Sequence, residues 1–141
     1  MQFSTNLDSL SVGNRIIDSE HQKLGCIISD IGQLILVNHV VAVAVAIRML
    51  NDGLRHCFAV EENIAQAVNF DFAQHRLAHI TFLNKFQDIT GEFMSQNHKW
   101  SKLERNDFID SLNGSLIQHI REDSKPLKIV LDTYLYDFKP K

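Results

Sequence analysis

At 141 residues the chain has the length of one ordinary domain. Hydrophobic residues make up 45% and charged residues 22%, enough apolar material for a single core and a composition that excludes wholesale disorder. A formal net charge of -3 and a sequence pI near 6.1 leave no basic excess, so nucleic acid is not an expected partner.

Residues 1–18 read as an irregular N-terminal arm. Ser19 and Gln22 fit a capping box, which starts a first helix at Ser19. Leu24, Ile28, Ile31 and Ile35 then recur at helical spacing, with His21 on the same stripe. The next segment, about Val40 to Val68, opens on a β-branched run that local propensity alone assigns to a strand. Its continuity with Met49, Leu50, Leu54 and Phe58 favours one long helix. Asn69-Phe70-Asp71 reads as a turn, and Asp71 with Gln74 fits a second capping box opening a third helix. Leu77, Leu83, Phe86, Ile89 and Phe93 supply its apolar face. Ser95 to Ser101 is polar and reads as a loop. A fourth helix runs from about Lys102 to Asp123 on Phe108, Leu112, Leu116 and Ile120. Pro126 kinks or restarts the chain, and Leu127 to Phe138 is apolar enough to pack as a short last helix. With no repeat or flexible linker, the expected fold is a single all-α domain over 1–141. Its expected form is an antiparallel up-down four-helix bundle, with an irregular N-terminal arm and a short C-terminal helix.

Leu34 to Leu50 is the most apolar stretch, but Asn38, His39 and Arg48 interrupt it. It falls short of the roughly 18 apolar residues a membrane span needs. The start carries no basic-then-apolar pattern of a signal peptide. Cys26 and Cys57 are far apart and form no CxxC, so reduced thiols and a cytoplasmic location are expected.

Histidine is the compositional oddity, at seven residues. His75 and His79 in HRLAH are i and i+4 on one helix face, about 6 Å apart, where two imidazoles can share an ion. Alone, such a pair is more often a chance arrangement on a solvated face. Position 76 is Arg, so the zinc-protease form HExxH is absent. His21, His56 and His119 add one histidine to each remaining helix, all beside apolar stripe residues. A lone histidine there is usually a satisfied core residue; one group per helix points instead to metal. Five imidazoles suit two ions, and Glu61, Glu62, Glu122 and Asp123 lie close by to serve as carboxylate ligands. His39 and His98 fall in connections and read as surface residues.

Four segments together resemble the hemerythrin family, in particular its bacterial members. They are LSVGNRIIDSEHQKL (10–24), RHCFAVEEN (55–63), HRLAHITF (75–82) and LIQHIREDSKPL (116–127), in the family's order and across nearly the whole chain. The resemblance implies a non-haem di-iron protein that reversibly binds dioxygen for sensing, storage or delivery, rather than an enzyme. It implies that His75, His79 and His119 bind one iron and that His21 and His56 bind the other, which keeps an open position for dioxygen. Two carboxylates and an oxo or hydroxo group would bridge the two irons. Ile120, beside His119, is a candidate for the wall of the dioxygen pocket or, equally, simple core packing.

Three positions depart from the family pattern. Its bridging Glu falls on Val60, with Glu61 one residue late; its bridging Asp falls on Ser124, with Asp123 one residue early; its tryptophan falls on Ser115. His119 and Asp123 share a face of a regular helix, so Asp123 can still reach a metal. His56 and Glu61 are roughly 140° apart, and Glu61 needs a π-bulge to turn inward. In another register Cys57, four residues before Glu61, takes the histidine's place. Either Glu61 and Asp123 bridge from shifted positions, which is the favoured expectation, or the site holds one metal or a poorly bridged pair. Two rival functions stay open: a di-iron oxidase, peroxidase or nitric-oxide-reactive protein, and an interaction module with an altered metal site. A sensing role would need a signalling output partner, whose nature the sequence leaves unknown.

Overall fold

The computed structural model describes residues 7, 10–96 and 99–141; the expectation for His98 lies outside them. Their regular structure is helical, with no strand among the described residues. The helices are α1 (Arg15–Leu36), α2 (Val40–Ala67), α3 (Ala73–Met94), α4 (Lys102–Gln118) and α5 (Lys125–Leu131), with a π turn, His119–Asp123, between α4 and α5. α1 packs against α2 and α4, and α3 packs against both as well.

The first helix starts four residues earlier than the sequence suggests. Asn14 is its N-cap, accepting from the Ile16 and Ile17 N–H groups on its Oδ1 at 3.0 and 3.2 Å, and Ser19 is exposed inside the helix. A side-chain acceptor there satisfies donors that the first turn leaves free. The Asn14 amide also donates to the Phe138 carbonyl at 3.1 Å, tying the start of α1 to the C-terminal tail. Gly13 permits the approach. Its φ is +84°, and a Cβ there would lie 2.7 Å from Asp132 Oδ1.

α1 and α2 both end in a left-handed asparagine, Asn38 (φ 54°) and Asn69 (φ 57°), a common helix stop. The β-branched run at the head of α2 is helical because Val43, Ala46 and Leu50 carry its buried stripe into the core. α3 opens at Ala73 with Phe72 at the cap position, and Asp71 Oδ1 accepts from the Ala73 N–H at 3.1 Å. α4 has a full capping box from Ser101 and Glu104. Trp100 anchors the turn before it: its indole N–H donates to the Phe93 carbonyl at 2.8 Å, and its ring stacks on Phe93.

All expected stripe residues of α1 and α4 are buried. Two others are not. Met49 and Leu77 are more than half exposed, because the inward positions near them belong to Leu50 in α2 and to His75 and His79 in α3. No described helix is long and apolar enough to cross a membrane.

Replacing Asn14 with Ala should cost about 1 kcal/mol or more of unfolding free energy, read from urea denaturation, because it removes a cap and an inter-terminal bond. Ser19→Ala, inside the helix and exposed, should be neutral or slightly stabilising. The reverse order would restore the start at Ser19.

Candidate metal centre

Glu61 is 0% exposed, halfway along the core. A carboxylate taken out of water costs several kcal/mol unless partners surround it. Here they come from every helix that faces it. His75 Nε2 lies 3.1 Å from Glu61 Oε1, and His79 Nε2 lies 3.6 Å from the same oxygen. His119 Nε2 lies 3.4 Å from Oε2, His21 Nε2 3.6 Å, and the Cys57 thiol donates to Oε2 at 3.3 Å. All these residues are buried.

Aromatic rings hold the imidazoles in place. Phe58 stacks on His79 with centroids 3.8 Å apart, and Phe72 stacks on His75 at 4.7 Å. Phe82 meets the His119 ring edge-on at 5.8 Å. The rings restrict the histidines to a few orientations and wall them with apolar surface.

Two groups of ligand atoms are close enough to share an ion: Glu61, His75, His79 and His119, and separately His21, Cys57 and Glu61. The first could hold a metal ion. Two of its nitrogen-to-oxygen distances, 3.1 Å at His75 and 3.4 Å at His119, match the spacing of about 3.0–3.4 Å that two ligands on one ion adopt with metal–ligand bonds near 2.1 Å, and the third, 3.6 Å at His79, is slightly longer. Two buried nitrogens without hydrogen-bond partners agree, His21 Nε2 and His79 Nε2, both directed at Glu61. Buried polar atoms are rarely left this way, and a metal would satisfy the nitrogens aimed at Glu61.

The expected placement needs correction at His56. Its side chain is 65% exposed, with Nε2 3.5 Å from Glu20 Oε1, outside the buried cluster. α2 is regular here, so the residue that shares a face with Glu61 is Cys57, four positions before it. A π-bulge near Glu61 is therefore unnecessary, and the π turn falls instead at His119–Asp123. There the Ser124 N–H bonds to the His119 carbonyl five residues back. The wider turn leaves Asp123 one-third exposed, its Oδ2 3.4 Å from His119 Nδ1, the ring nitrogen not used on Glu61. Asp123 thus orients His119 from outside, as carboxylates commonly do behind metal-binding histidines, and does not meet Glu61 as a second bridge. Ser124, where the resemblance leads one to expect a bridging Asp, is fully buried with an unpartnered hydroxyl. Ile120 is buried in the π turn beside His119.

The surroundings shift the acids and bases. Burial alone would raise Glu61, but the His119 charge and the surrounding imidazoles of His119, His21 and His75 hold it well below the ordinary carboxylate value. Burial lowers His119, but the Glu61 charge, Asp123 and the Glu61 hydrogen bond outweigh it and raise it to about 9. Burial lowers His79. Burial pushes the Cys57 thiol up, and Glu61 and Glu20 add to it. The hydrogen bond to His119, more than burial opposes, lowers Asp123.

Sequence reasoning overlooked the stacked Phe58 and Phe72, and the weight of Cys57. The signal for Cys57 lay in the three-and-four spacing of Val43, Ala46, Leu50, Leu54, Cys57, Glu61, Ile64 and Val68, which skips His56. Three clefts reach the cluster's edge: one lined by Leu10, Asp18, His21 and Tyr136, one by Gln74, His75 and Asp123, and one by Thr81, Lys85, Ser115 and His119. No known protein family, no characterised protein and no solved structure matches this chain.

The linked protons set a pH optimum for the metal-free chain. His119 is raised, so its contribution is complete below about 6.5 and lost as pH climbs through about 9. His79 and Glu61 are lowered, so theirs are complete above 6.5 and 4.5 and lost as pH falls through their depressed values. The melting temperature of chelator-treated protein should peak near pH 6.5 and fall on both sides. In His119→Gln the alkaline fall should flatten; an unchanged alkaline limb would remove His119 as its cause.

Proposed function

We propose that the chain is a hemerythrin-like, non-haem di-iron protein that binds dioxygen reversibly, for sensing, storage or delivery. The observation that carries this reading is Glu61, buried at the core with His75 and His79 facing its Oε1 and His119, His21 and Cys57 facing its Oε2. Supporting it are the four motifs, in family order, whose residues supply His21, Glu61, His75, His79 and His119. In this reading α1 to α4 form an antiparallel up-down bundle, with α5 a short closing helix. The side-by-side packing of each helix with its two neighbours agrees with that arrangement.

The residues present fit such a centre. His75, His79, His119 and Glu61 Oε1 or Oε2 would hold one ion, and His21 would serve the other through Glu61 Oε2. Bound iron would supply the electrons that let dioxygen bind. The chain's own part is to place and protect. Asp123 holds the His119 ring through Nδ1 and leaves Nε2 directed inward. Phe58, Phe72 and Phe82 keep bulk water from the imidazoles. An apolar cavity lined by Leu24, Ile28, Leu54, Phe82, Phe86 and Leu116 lies between the helices, and Phe82 also packs on His119. A small apolar gas would partition into it, and an ionic reactant would not. Histidines outnumber carboxylates among the ligands, which favours binding over oxidation chemistry.

Anaerobic loading with ferrous iron should give about two irons per chain and an optical change on adding dioxygen that reverses when it is removed. His75→Ala and His79→Ala should each lower the bound iron and abolish the rise in melting temperature that iron produces. Less than one tightly held iron per chain would sink the reading. Sustained turnover of peroxide or nitric oxide would move the protein to the enzyme class.

A further inference from the structure

The second metal position is built differently from the first. Cys57 and Glu61 are one helical turn apart on the inner face of α2, and both are fully buried. The Cys57 Sγ lies 3.3 Å from Glu61 Oε2. Across from them on α1, His21 is 2% exposed and points its Nε2 at the same oxygen from 3.6 Å, too far for a hydrogen bond. Neither of its ring nitrogens has a hydrogen-bond partner. A buried imidazole left bare is unfavourable, and here it faces a thiol and a carboxylate. Sulfur, nitrogen and oxygen all lie within 4.8 Å of one another.

We propose that Cys57 is a metal ligand: its thiolate, with His21 Nε2 and Glu61 Oε2, holds the second metal ion where the motif pattern suggests a histidine. The proposal deepens the metal-centre reading and rests on it. On binding, the Sγ–H bond is replaced by an Sγ–metal bond, one proton leaves to solvent, and Glu61 Oε2 exchanges a thiol donor for the metal. Three protein ligands leave the ion an open position, the usual condition for binding a small molecule. His56 takes no part, since it lies on the solvent side of α2.

The consequence is a chemically asymmetric centre. One position offers three imidazoles and a carboxylate; the other offers a thiolate, an imidazole and the shared carboxylate. Thiolate is the softer donor, so the second position selects zinc, cobalt, ferrous iron or copper over magnesium or manganese.

Cobalt(II) tests this without relying on dioxygen chemistry. The full chain, kept reduced with a phosphine and free of oxygen, is titrated with cobalt(II) and followed by absorption and metal analysis. The expected result is about two cobalt ions per chain, visible bands from the histidine-rich position, and a near-ultraviolet sulfur-to-cobalt charge-transfer band. Cys57→Ser should remove that band and lower bound cobalt from two to about one, with the visible bands kept. Cys26→Ser and His56→Ala should change neither. X-ray absorption of the unmutated cobalt protein should show a sulfur neighbour at about 2.3 Å, which covers the case of a variant that fails to fold. Two ions with no sulfur band, a band surviving Cys57→Ser, or loss of one ion in His56→Ala would overturn the proposal. A single ion with visible bands alone overturns the thiolate assignment and leaves the His75–His79–His119 position standing. No bound cobalt overturns both.

Discussion

One buried carboxylate organises this protein. Glu61 has no water to solvate it, so the interior must supply the donors that its charge requires. They arrive from separate stretches of chain: His21 on α1, Cys57 on α2, His75 and His79 on α3, and His119 at the end of α4. Each contact sets how its helix is rotated and how far it has slid along its neighbours. A helix shifted by one residue would turn its ligand by about 100° and leave Glu61 short of a partner. Ordinary apolar packing tolerates more variation than this, because Leu, Ile and Val interchange with modest loss.

The same constraint explains the two irregularities in the motifs. In α2 the acid stands one residue further from His56 than the pattern has it. A regular helix then brings Cys57 onto the inner face and leaves His56 beside Glu20 on the outside. At the end of α4 the acid stands one residue closer to the histidine. The π turn accommodates it by keeping His119 inward and directing Asp123 to the outer ring nitrogen. Such turns commonly accompany functional sites because they re-aim one side chain without breaking the helix. The outcome is a buried cluster with one carboxylate at its centre and a second carboxylate behind a histidine.

Any metal bound at this site would couple its binding to folding. In the metal-free chain, protons occupy part of the space: His119 is held protonated, the Cys57 thiol is kept neutral, and some nitrogens have no partner. An ion would displace these protons and satisfy the imidazole nitrogens directed at Glu61, so its binding energy becomes stability of the fold. The stacked phenylalanines add rigidity, so the ligands are positioned before an ion arrives. Under the proposed function, that preorganisation keeps the open position accessible to a small gas and closed to bulk water.

Much of this was legible in the sequence. The stripes of α1 and α4 mark their buried faces, the near absence of proline points to helices, and the HxxxH pair with histidines on other helices points to a metal-binding core. These are local, periodic signals, and helical periodicity converts them directly into faces. Helix starts were less legible, because Asn14 caps α1 through its side-chain oxygen and is held in place by a bond to the distant Phe138, while Ser19 merely fits a capping pattern. The choice between His56 and Cys57 could not be made from adjacency alone. The two residues are neighbours in sequence but point about 100° apart on a helix. Which of them faces the core depends on how α2 is rotated against α1 and α3. The sequence by itself marked the helices, the histidines that could serve as metal ligands and the candidate acids beside them. Only tertiary packing decided which atoms meet at Glu61, because a one-residue register difference, invisible in composition, exchanges solvent for the core.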